Sequence, residues 1–336
     1  MIIQFEKDIN SAQKEAIVNR VKGLKYKPTT VITQKGEYLI GTGKRDFDIR
    51  EIGHMEGISD IHIVSDDYKL VSKKWKVKPT IIDLGDGVVI EEGGFQIMAG
   101  PCSIESEDQI RKVIGHLKEN GISIMRGGVY KPRSSPYSFR GLGIEGLQLW
   151  YQLAKEAGIK IITEVMQVSQ IAEMYPYTDI YQVGARNTQN FNLLDELGKV
   201  DKPVMIKRGI SGTIDELLSS AEYVFSGGNE RLLLCERGIR TYESATRNTM
   251  DLNAIAVLKE KTHLPVISDP SHGIGIRDFV EPIALASIMA GADGVIFETH
   301  EKPEEAYSDG QQTLNFEEST KMINRMRKTF ELRESF

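Results

Sequence analysis

Eight short apolar runs recur along the last two thirds of this 336-residue chain and constrain its fold more than any other feature. They lie at residues 95–99, 122–126, 160–165, 180–184, 203–207, 231–235, 264–268 and 294–298. Most gaps between them hold a segment of helical periodicity, and glycine often precedes the next run, as it does where helices end. Eight strand–helix units over about 240 residues predict an α/β fold, a closed (β/α)8 or TIM barrel, with an open doubly wound sheet as the alternative.

The first 66 residues show a different pattern. An apolar run at 1–5 is followed by an amphipathic helical segment, a hairpin pattern at 30–40, a candidate second helix at 45–55 and a strand pattern at 58–65. This βαββαβ order is typical of a small ferredoxin-like α+β domain. We therefore expect a compact unit that folds ahead of the barrel.

A charged segment at 66–78 separates this unit from residues 80–95, whose glycines and short apolar runs predict a hairpin. The chain is also long enough for one large and one small hydrophobic core. The predicted organisation is a ferredoxin-like domain at 1–66, a linker with a hairpin at 67–94, and a catalytic barrel at 95–336.

The overall charge excludes some classes of function. The net charge is −6 and the sequence pI about 5.7, which argues against a general nucleic-acid-binding surface. No apolar run approaches the ~20 residues that cross a bilayer, and the N-terminus has no cleavable signal pattern, so we expect a cytoplasmic protein. Two cysteines cannot form a disulfide framework, and each must be a core residue, a ligand or a nucleophile.

Charged side chains follow nearly every predicted barrel strand, where the active sites of such barrels lie. The cationic ones are Arg126, Lys131, Arg186, Lys207, Arg208 and Arg237, with Arg133 nearby. So many positive charges around one mouth would repel one another unless bound dianions neutralised them. Arg208 is expected to face away because neighbouring strand residues alternate faces. The alternative for the cluster at 123–136 is a solvated basic turn.

Three further residues at these strand ends carry metal-ligating atoms, namely Cys102, His272 and Glu298, and Asp309 in YSDGQQ is the best candidate for a further carboxylate. A thiolate, an imidazole and two carboxylates suit a divalent ion such as Mn, Fe, Co or Zn. Their spacing gives no signature, so Cys102 remains open as a core residue or as a nucleophile paired with His272. Cys235, inside an apolar run, is predicted to be a core residue.

Sequence motifs on every strand resemble one enzyme family. They are AGPCSIES at 99–106, GGVYKPRSSPYSF at 127–139, TEV at 163–165, QVGARN at 182–187, IKRG at 206–209, CERGIRT at 235–241, SDPSH at 268–272, FETH at 297–300 and SDGQQ at 308–312. Together they resemble 3-deoxy-arabino-heptulosonate 7-phosphate (DAHP) synthase, which condenses phosphoenolpyruvate with erythrose 4-phosphate as the first step of the shikimate pathway. The N-terminal unit resembles the regulatory ferredoxin-like domain of one branch of this family.

The resemblance implies roles for the residues that match the motifs. Cys102, His272, Glu298 and Asp309 would bind the divalent metal ion. Arg126, Lys131, Arg186, Lys207 and Arg237 would hold phosphoenolpyruvate, and Lys131, Pro132, Arg133 and Ser134 would take erythrose 4-phosphate. Ser134 stands where the family has threonine, and its hydroxyl is retained. Lys131, Glu164, Lys207 and His272 are the candidate catalytic residues, and the resemblance does not rank them as acid or base.

The resemblance also implies a homo-oligomer, taken as a tetramer, and feedback inhibition by tyrosine or phenylalanine. The N-terminal unit would close over the barrel mouth or alter assembly, and the alternative is that it only supports oligomerisation. Two rival functions stay open. One is 3-deoxy-manno-octulosonate 8-phosphate synthase, which uses arabinose 5-phosphate, although Lys131 is followed here by Pro132 and Arg133, as in the heptulosonate enzymes. The other is a non-catalytic barrel that acts as a binding or regulatory protein.

Overall fold

A computed structural model describes residues 1–43, 48–76, 78–131, 137 and 139–336. The N-terminal unit contains β1 (Ile2–Phe5), α1 (Ser11–Gly23), β2 (Lys27–Ile32), β3 (Glu37–Thr42) and β4 (Ile58–His62). Its four strands form an antiparallel sheet in the order β2-β3-β1-β4. Helix α1 begins at a capping box on Asn10 and buries Ile17 and Val21 in a core with Ile3 and Leu39.

The predicted second helix at 45–55 is wrong in its described part. Residues 44–47 lie outside the described residues, and the rest holds only a 3-10 helix at Ile49–Glu51, capped by Asp48. Gly53 and Gly57 follow within eight residues of Ile49, and Gly57 has a φ of +90°. Glycine is a poor helix former, so these two residues favour an early end to the helix.

A short hairpin of β5 (Ile82–Asp83) and β6 (Val89–Ile90) follows, as predicted for 80–95. The barrel strands are β7 (Gln96–Gly100), β8 (Ile124–Gly127), β9 (Lys160–Glu164), β10 (Ile180–Val183), β11 (Val204–Lys207), β12 (Leu232–Glu236), β13 (Val266–Ser268) and β14 (Gly294–Glu298). All neighbours in this ring are parallel, and β9 pairs with β10 to close it. Each strand begins and ends within two residues of its predicted limits, and the predicted barrel is confirmed.

At least one helix follows every barrel strand. They are α2 (Glu107–Glu119), α3 (Gly143–Glu156), α4 (Val168–Met174), α5 (Phe191–Leu197), α6 (Ile214–Ser226), α7 (Leu252–Lys261), α8 (Pro270–Ile274), α9 (Arg277–Met289) and α10 (Phe316–Glu334). None of the described helices combines the length and the apolar character that a membrane span requires. The domain limits at 66 and 94 stay a prediction.

The barrel interior is apolar, and the hairpin β5–β6 lies at its amino-terminal end. Ile82 and Ile90 of the hairpin pack in one buried cluster with inward residues of the strands, among them Met98 and Ile180. Cys235 lies in the same cluster and is fully buried, which confirms it as a core residue. Because this layer fills the lower barrel, polar side chains at the strand ends face the opposite opening.

The N-terminal unit docks at the end of the barrel that is remote from those polar side chains. Thr33 Oγ1 donates to Glu230 Oε1 at 2.6 Å, just ahead of β12, and Tyr38 packs edge-on against Trp75 and Phe225. The linker also contacts this end of the barrel. Thr262 Oγ1, between α7 and β13, donates a hydrogen bond to the carbonyl of Val71 in the linker. The described contacts of the unit and the linker with the barrel therefore lie away from the barrel mouth.

His263 connects the linker to the barrel, and its burial leads us to expect that acid destabilises the fold. Its Nε2 lies 2.8 Å from the carbonyl of Leu70 and its Nδ1 2.7 Å from Thr80 Oγ1, contacts that the neutral imidazole satisfies with Nε2–H donating. Burial, with the charge of Lys76, lowers the pKa of His263 to about 3. The unfolded chain therefore binds this proton below pH 6.5 while the folded chain does not, so stability falls as the pH drops from 6.5 toward 3.

We expect His263 to account for roughly 4 to 5 kcal/mol of unfolding free energy lost across this window. The measurement is urea unfolding at several pH values for the wild type and for His263→Gln. The difference between the two proteins should change with pH by that amount, and His54→Gln, at an exposed histidine, should follow the wild type. If the unfolding free energies of all three proteins change in parallel with pH, His263 does not contribute to the pH dependence of stability.

Candidate active site

The polar strand ends surround a cavity of about 200 Å³ at the carboxyl end of the barrel. Eight residues predicted from the sequence line it, namely Arg126, Lys131, Glu164, Arg186, Lys207, Arg237, His272 and Asp309. Pro132, Arg133 and Ser134, predicted for the second substrate, lie outside the described residues. The structure thus brings most of the predicted ring to one cavity.

Three of the lining cations are almost completely buried. Lys207 Nζ lies 2.5 Å from Asp269 Oδ2, and Arg126 Nη1 lies 3.1 Å from Glu298 Oε1 and 2.8 Å from the carbonyl of Pro101. Arg237 differs, because its described hydrogen bond is to the carbonyl of Gly238 and no described carboxylate lies within ion-pair distance. Burial lowers the pKa of Arg237. A buried guanidinium without a carboxylate partner is suited to an anionic ligand.

The place of Arg126 depends on Gly100, at the end of β7. Gly100 has a φ of +156°, and a Cβ built there would lie 2.1 Å from the carbonyl oxygen of Arg126. Only glycine lets the two strand ends approach so closely. The close pairing of the ends of β7 and β8 therefore fixes where along the barrel axis the Arg126 guanidinium enters the cavity.

Three of the four predicted metal ligands form one cluster. The ligand atoms of Cys102, Glu298 and Asp309 lie within 4.8 Å of one another. Cys102 Sγ donates to Asp309 Oδ2 at 3.1 Å and lies 2.9 Å from Lys131 Nζ. Asp309 has a φ of +52°, a conformation that non-glycine residues rarely adopt and that is often found at functional sites.

His272, the fourth predicted ligand, stands beside this cluster. Its Nδ1 lies 2.8 Å from Asp269 Oδ2, and its Nε2 lies 3.5 Å from Glu298 Oε1. A carboxylate that holds one imidazole nitrogen and directs the other toward the ion is a common arrangement around protein metals. Asp269 was not predicted, although its position three residues before His272 in SDPSH was a signal.

The protonation of the cluster is consistent with a site for a cation. Burial, together with the charge of Glu298, raises the pKa of the Cys102 thiol to about 12. Burial opposes ionisation of Asp309 too, but its hydrogen bond from Cys102 and the charges of His272 and Arg247 lower the pKa of Asp309 to about 2. A thiol, an imidazole and two carboxylates fit a divalent first-row ion, whose binding would displace the thiol proton.

Glu164 reaches the cavity from the end of β9, where it lies against the backbone of β10. A Cβ built on Gly184 would lie 2.0 Å from Glu164 Oε1. Glycine at 184 therefore leaves room for the carboxylate at the cavity wall. This geometry keeps an acidic group among the cations.

Sequence reasoning missed four polar cavity residues, namely Gln182, Arg240, Arg247 and Asn248, and the apolar Ile210. Arg240 and Arg247 lie on the long segment between β12 and α7, away from any strand end. Their signal was the density of arginines in residues 237–247. Arg208, predicted to face away, does not line the cavity but is buried and pairs with Glu236 and Asp251 at 2.9 and 2.8 Å.

The fold and this cavity define a barrel enzyme whose mouth is built to bind small, multiply charged anions. The DAHP synthetase I family matches residues 79–335. The chain belongs to this family, which confirms the resemblance seen in its motifs. Membership also confirms the predicted enzyme class, a transferase that forms a carbon–carbon bond.

The relatives are consistent with this assignment. A phospho-2-dehydro-3-deoxyheptonate aldolase of Thermotoga maritima is 48% identical over 261 residues, which is 78% of this chain and 77% of the relative. A crystal structure of a DAHP synthase from the same organism superposes with a TM-score of 0.78 at 40% identity, covering 97% of this chain and 96% of that one. A 2-dehydro-3-deoxyphosphooctonate aldolase of Francisella tularensis is 33% identical over 64% of this chain and 84% of the relative.

Proposed function

We propose that the chain condenses phosphoenolpyruvate with erythrose 4-phosphate to give 3-deoxy-arabino-heptulosonate 7-phosphate and phosphate. The observation that carries the proposal is the charge of the cavity. Seven cationic and two acidic side chains line it, a formal excess of five positive charges. The phosphate and carboxylate of one substrate and the phosphate of the other bring about five negative charges at neutral pH.

The buried cations are suited to the substrate that has two anionic groups. Arg126, Lys207 and Arg237 lie deepest and Arg186 lies at the exposed rim, so together they can hold the phosphate and the carboxylate of phosphoenolpyruvate. Lys131, with Arg133 and Ser134 after it, would bind the sugar phosphate. Arg240 and Arg247, on the segment between β12 and α7, add positive charge to the same cavity and would share that second phosphate. Fixed cations of this kind supply proximity and charge stabilisation.

The reaction that these groups would support is a condensation in two stages. A bond forms between C3 of phosphoenolpyruvate and the aldehyde carbon, and the aldehyde oxygen takes up a proton. Water then adds at C2, and the bond from C2 to the phosphate oxygen breaks as phosphate leaves. Lys131 or Lys207 would transfer protons, and Glu164 would orient water at the cavity wall.

We further propose that the reaction depends on a divalent ion held by Cys102, His272, Glu298 and Asp309. The ion, when bound, would act as a Lewis acid toward the aldehyde oxygen. Lys131 Nζ lies 2.9 Å from Cys102 Sγ and Arg126 Nη1 lies 3.1 Å from Glu298 Oε1, so residues of the proposed metal site contact residues of the proposed phosphoenolpyruvate site. We therefore propose that the aldehyde binds between the two sites.

The first test is the choice of sugar. In the presence of manganese, the purified chain should consume phosphoenolpyruvate with erythrose 4-phosphate and show less than about 1% of that rate with arabinose 5-phosphate. Loss of phosphoenolpyruvate absorbance measures both rates. Turnover with the five-carbon sugar alone would support the octulosonate reaction, and no turnover with either sugar would support a binding protein.

We also propose that the N-terminal unit mediates inhibition by tyrosine or phenylalanine in a cytoplasmic homo-tetramer. The turn that contains Thr33 and Gln34 contacts Asn229 and Glu230 at the start of β12, and Arg237 follows the other end of that strand. An effector that shifts this contact would change the position of a predicted phosphoenolpyruvate ligand. Inhibitor and substrate binding would then oppose each other by the same factor.

Removal of residues 1–66 tests the regulatory proposal. The truncated enzyme should keep its activity, within about 3-fold, and should lose inhibition by both amino acids. Initial rates at increasing tyrosine or phenylalanine measure this, and circular dichroism confirms that the barrel has folded. A truncated enzyme that remains fully sensitive would show that the effector binds elsewhere.

A further inference from the structure

Three of the four predicted metal ligands lie on separate segments that could move independently. Cys102 follows β7, Glu298 ends β14, and Asp309 belongs to the loop between β14 and α10. Their ligand atoms converge only if these segments are held together. Glu105, three residues after Cys102, contacts the loop and faces the segment after β14, and Ser103 Oγ also lies 2.7 Å from Ser308 Oγ of the same loop.

The carboxylate of Glu105 binds the loop that carries Asp309. Glu105 Oε1 accepts the backbone N–H of Tyr307 at 2.9 Å, two residues before Asp309. The side chain is only 9% exposed, and its own segment is fixed to α2, since Gln109 accepts the N–H of Glu105 and donates to the carbonyl of Ser103. The hydrogen bond is thus anchored on a rigid helix.

The other oxygen of Glu105 faces the segment that carries Glu298. His300, two residues after Glu298, accepts the N–H of Lys302 at Nδ1, so in the neutral imidazole the hydrogen lies on Nε2. Nε2 is buried and has no hydrogen-bond partner among the described residues. Glu105 Oε2 lies 3.8 Å from it. A buried donor without a partner is costly, and the carboxylate is the acceptor placed to relieve it.

From these contacts we propose that Glu105 is a positioning residue of the metal site, holding the segments of Cys102, Glu298 and Asp309 in register. The inference rests on the proposed metal dependence. Glu105 has no described contact with the ligand atoms and does not line the cavity, so it would act through the backbone of Tyr307 and the ring of His300. Residues around metal ligands that fix their orientation commonly change affinity 10- to 100-fold when replaced.

Two conservative variants separate positioning from simple charge. Glu105→Asp keeps the charge but shortens the side chain by about 1.5 Å, so it no longer reaches the N–H of Tyr307. Glu105→Gln keeps the reach and an acceptor oxygen but loses the charge. The control is Glu107→Gln, the same change at an exposed residue that pairs with Arg111.

The experiment is calorimetric titration of chelator-treated full-length protein with manganese, with the apo-protein's melting temperature as a separate readout. We expect Glu105→Asp to bind at least about 10-fold more weakly than the wild type. The manganese affinity of Glu105→Gln should stay within about 3-fold of the wild type if the hydrogen bond to Tyr307 dominates the positioning. Weaker binding would show that the contact with His300 also contributes. Glu107→Gln should match the wild type.

The proposal is overturned if Glu105→Asp binds manganese as tightly as the wild type, whatever its melting temperature. A variant that melts earlier but binds normally would show a purely structural role and would also overturn it. A wild-type chain that binds no manganese would reject the metal dependence and this inference together.

Discussion

Replacing Cys102 with alanine is expected to lower kcat/KM by at least about 100-fold and to abolish tight manganese binding. The thiol is almost fully buried, lies 3.1 Å from Asp309 Oδ2, and supplies the sulfur atom of the described ligand cluster. Its loss leaves two carboxylates and an imidazole, a weaker set for a first-row ion. Steady-state kinetics with added manganese and calorimetric titration of the apo-protein measure the two effects.

Cys235→Ala is the matched control, because it removes the other cysteine. Cys235 is fully buried in the apolar interior, so its replacement should reduce stability slightly and leave manganese affinity unchanged. If Cys102→Ala keeps wild-type activity and metal affinity while it remains folded, the proposed metal site is wrong. Cys102 would then be a core residue, the alternative that its sequence left open.

Replacing Arg237 with alanine should raise the KM for phosphoenolpyruvate by at least about 30-fold without a loss of stability. Its guanidinium is buried and has no described carboxylate within ion-pair distance, so removing it relieves an uncompensated buried charge. The Arg237→Ala variant should therefore have a higher KM for phosphoenolpyruvate and an undiminished free energy of unfolding. Initial rates at varied phosphoenolpyruvate, and urea unfolding without substrate, test the two parts.

Arg208→Ala provides the contrast, since Arg208 is equally buried but paired with Glu236 and Asp251. Breaking that pairing should cost about 3 to 5 kcal/mol of unfolding free energy. Arg208 lies outside the cavity lining, so we expect no direct effect on substrate binding. An Arg237→Ala protein that unfolds as readily as Arg208→Ala, with an unchanged KM, would assign Arg237 a structural role instead.

The barrel could be predicted from the sequence because its strands are buried and therefore almost continuously apolar. Such runs end where the chain leaves the interior, so polar residues such as Arg126, Lys207 and Glu298 mark the site directly. Because the mouth of a barrel collects every strand end, residues far apart in sequence could be assigned to one cavity. The pattern of apolar and polar residues along the chain was therefore sufficient to predict the barrel and the strand-end residues of its cavity.

Features that depend on the path of loops could not be predicted in the same way. Arg240 and Arg247 lie on a segment without periodicity, and only the tertiary structure brings them to the cavity. The docking of Thr33 on Glu230 joins residues almost 200 positions apart and has no local signal. At 45–55 a helix was predicted, but Gly53 within this segment and Gly57 just after it favour an early end.

The measurement that tests the central claim most directly is phosphoenolpyruvate consumption with erythrose 4-phosphate before and after removal of metal. The purified chain should turn over with manganese, lose at least about 95% of its rate after treatment with a chelator, and recover when manganese is added in excess. Phosphate release should equal phosphoenolpyruvate loss at each stage. Undiminished turnover by protein shown to be free of metal, or no turnover by folded and metal-loaded protein, would contradict the account.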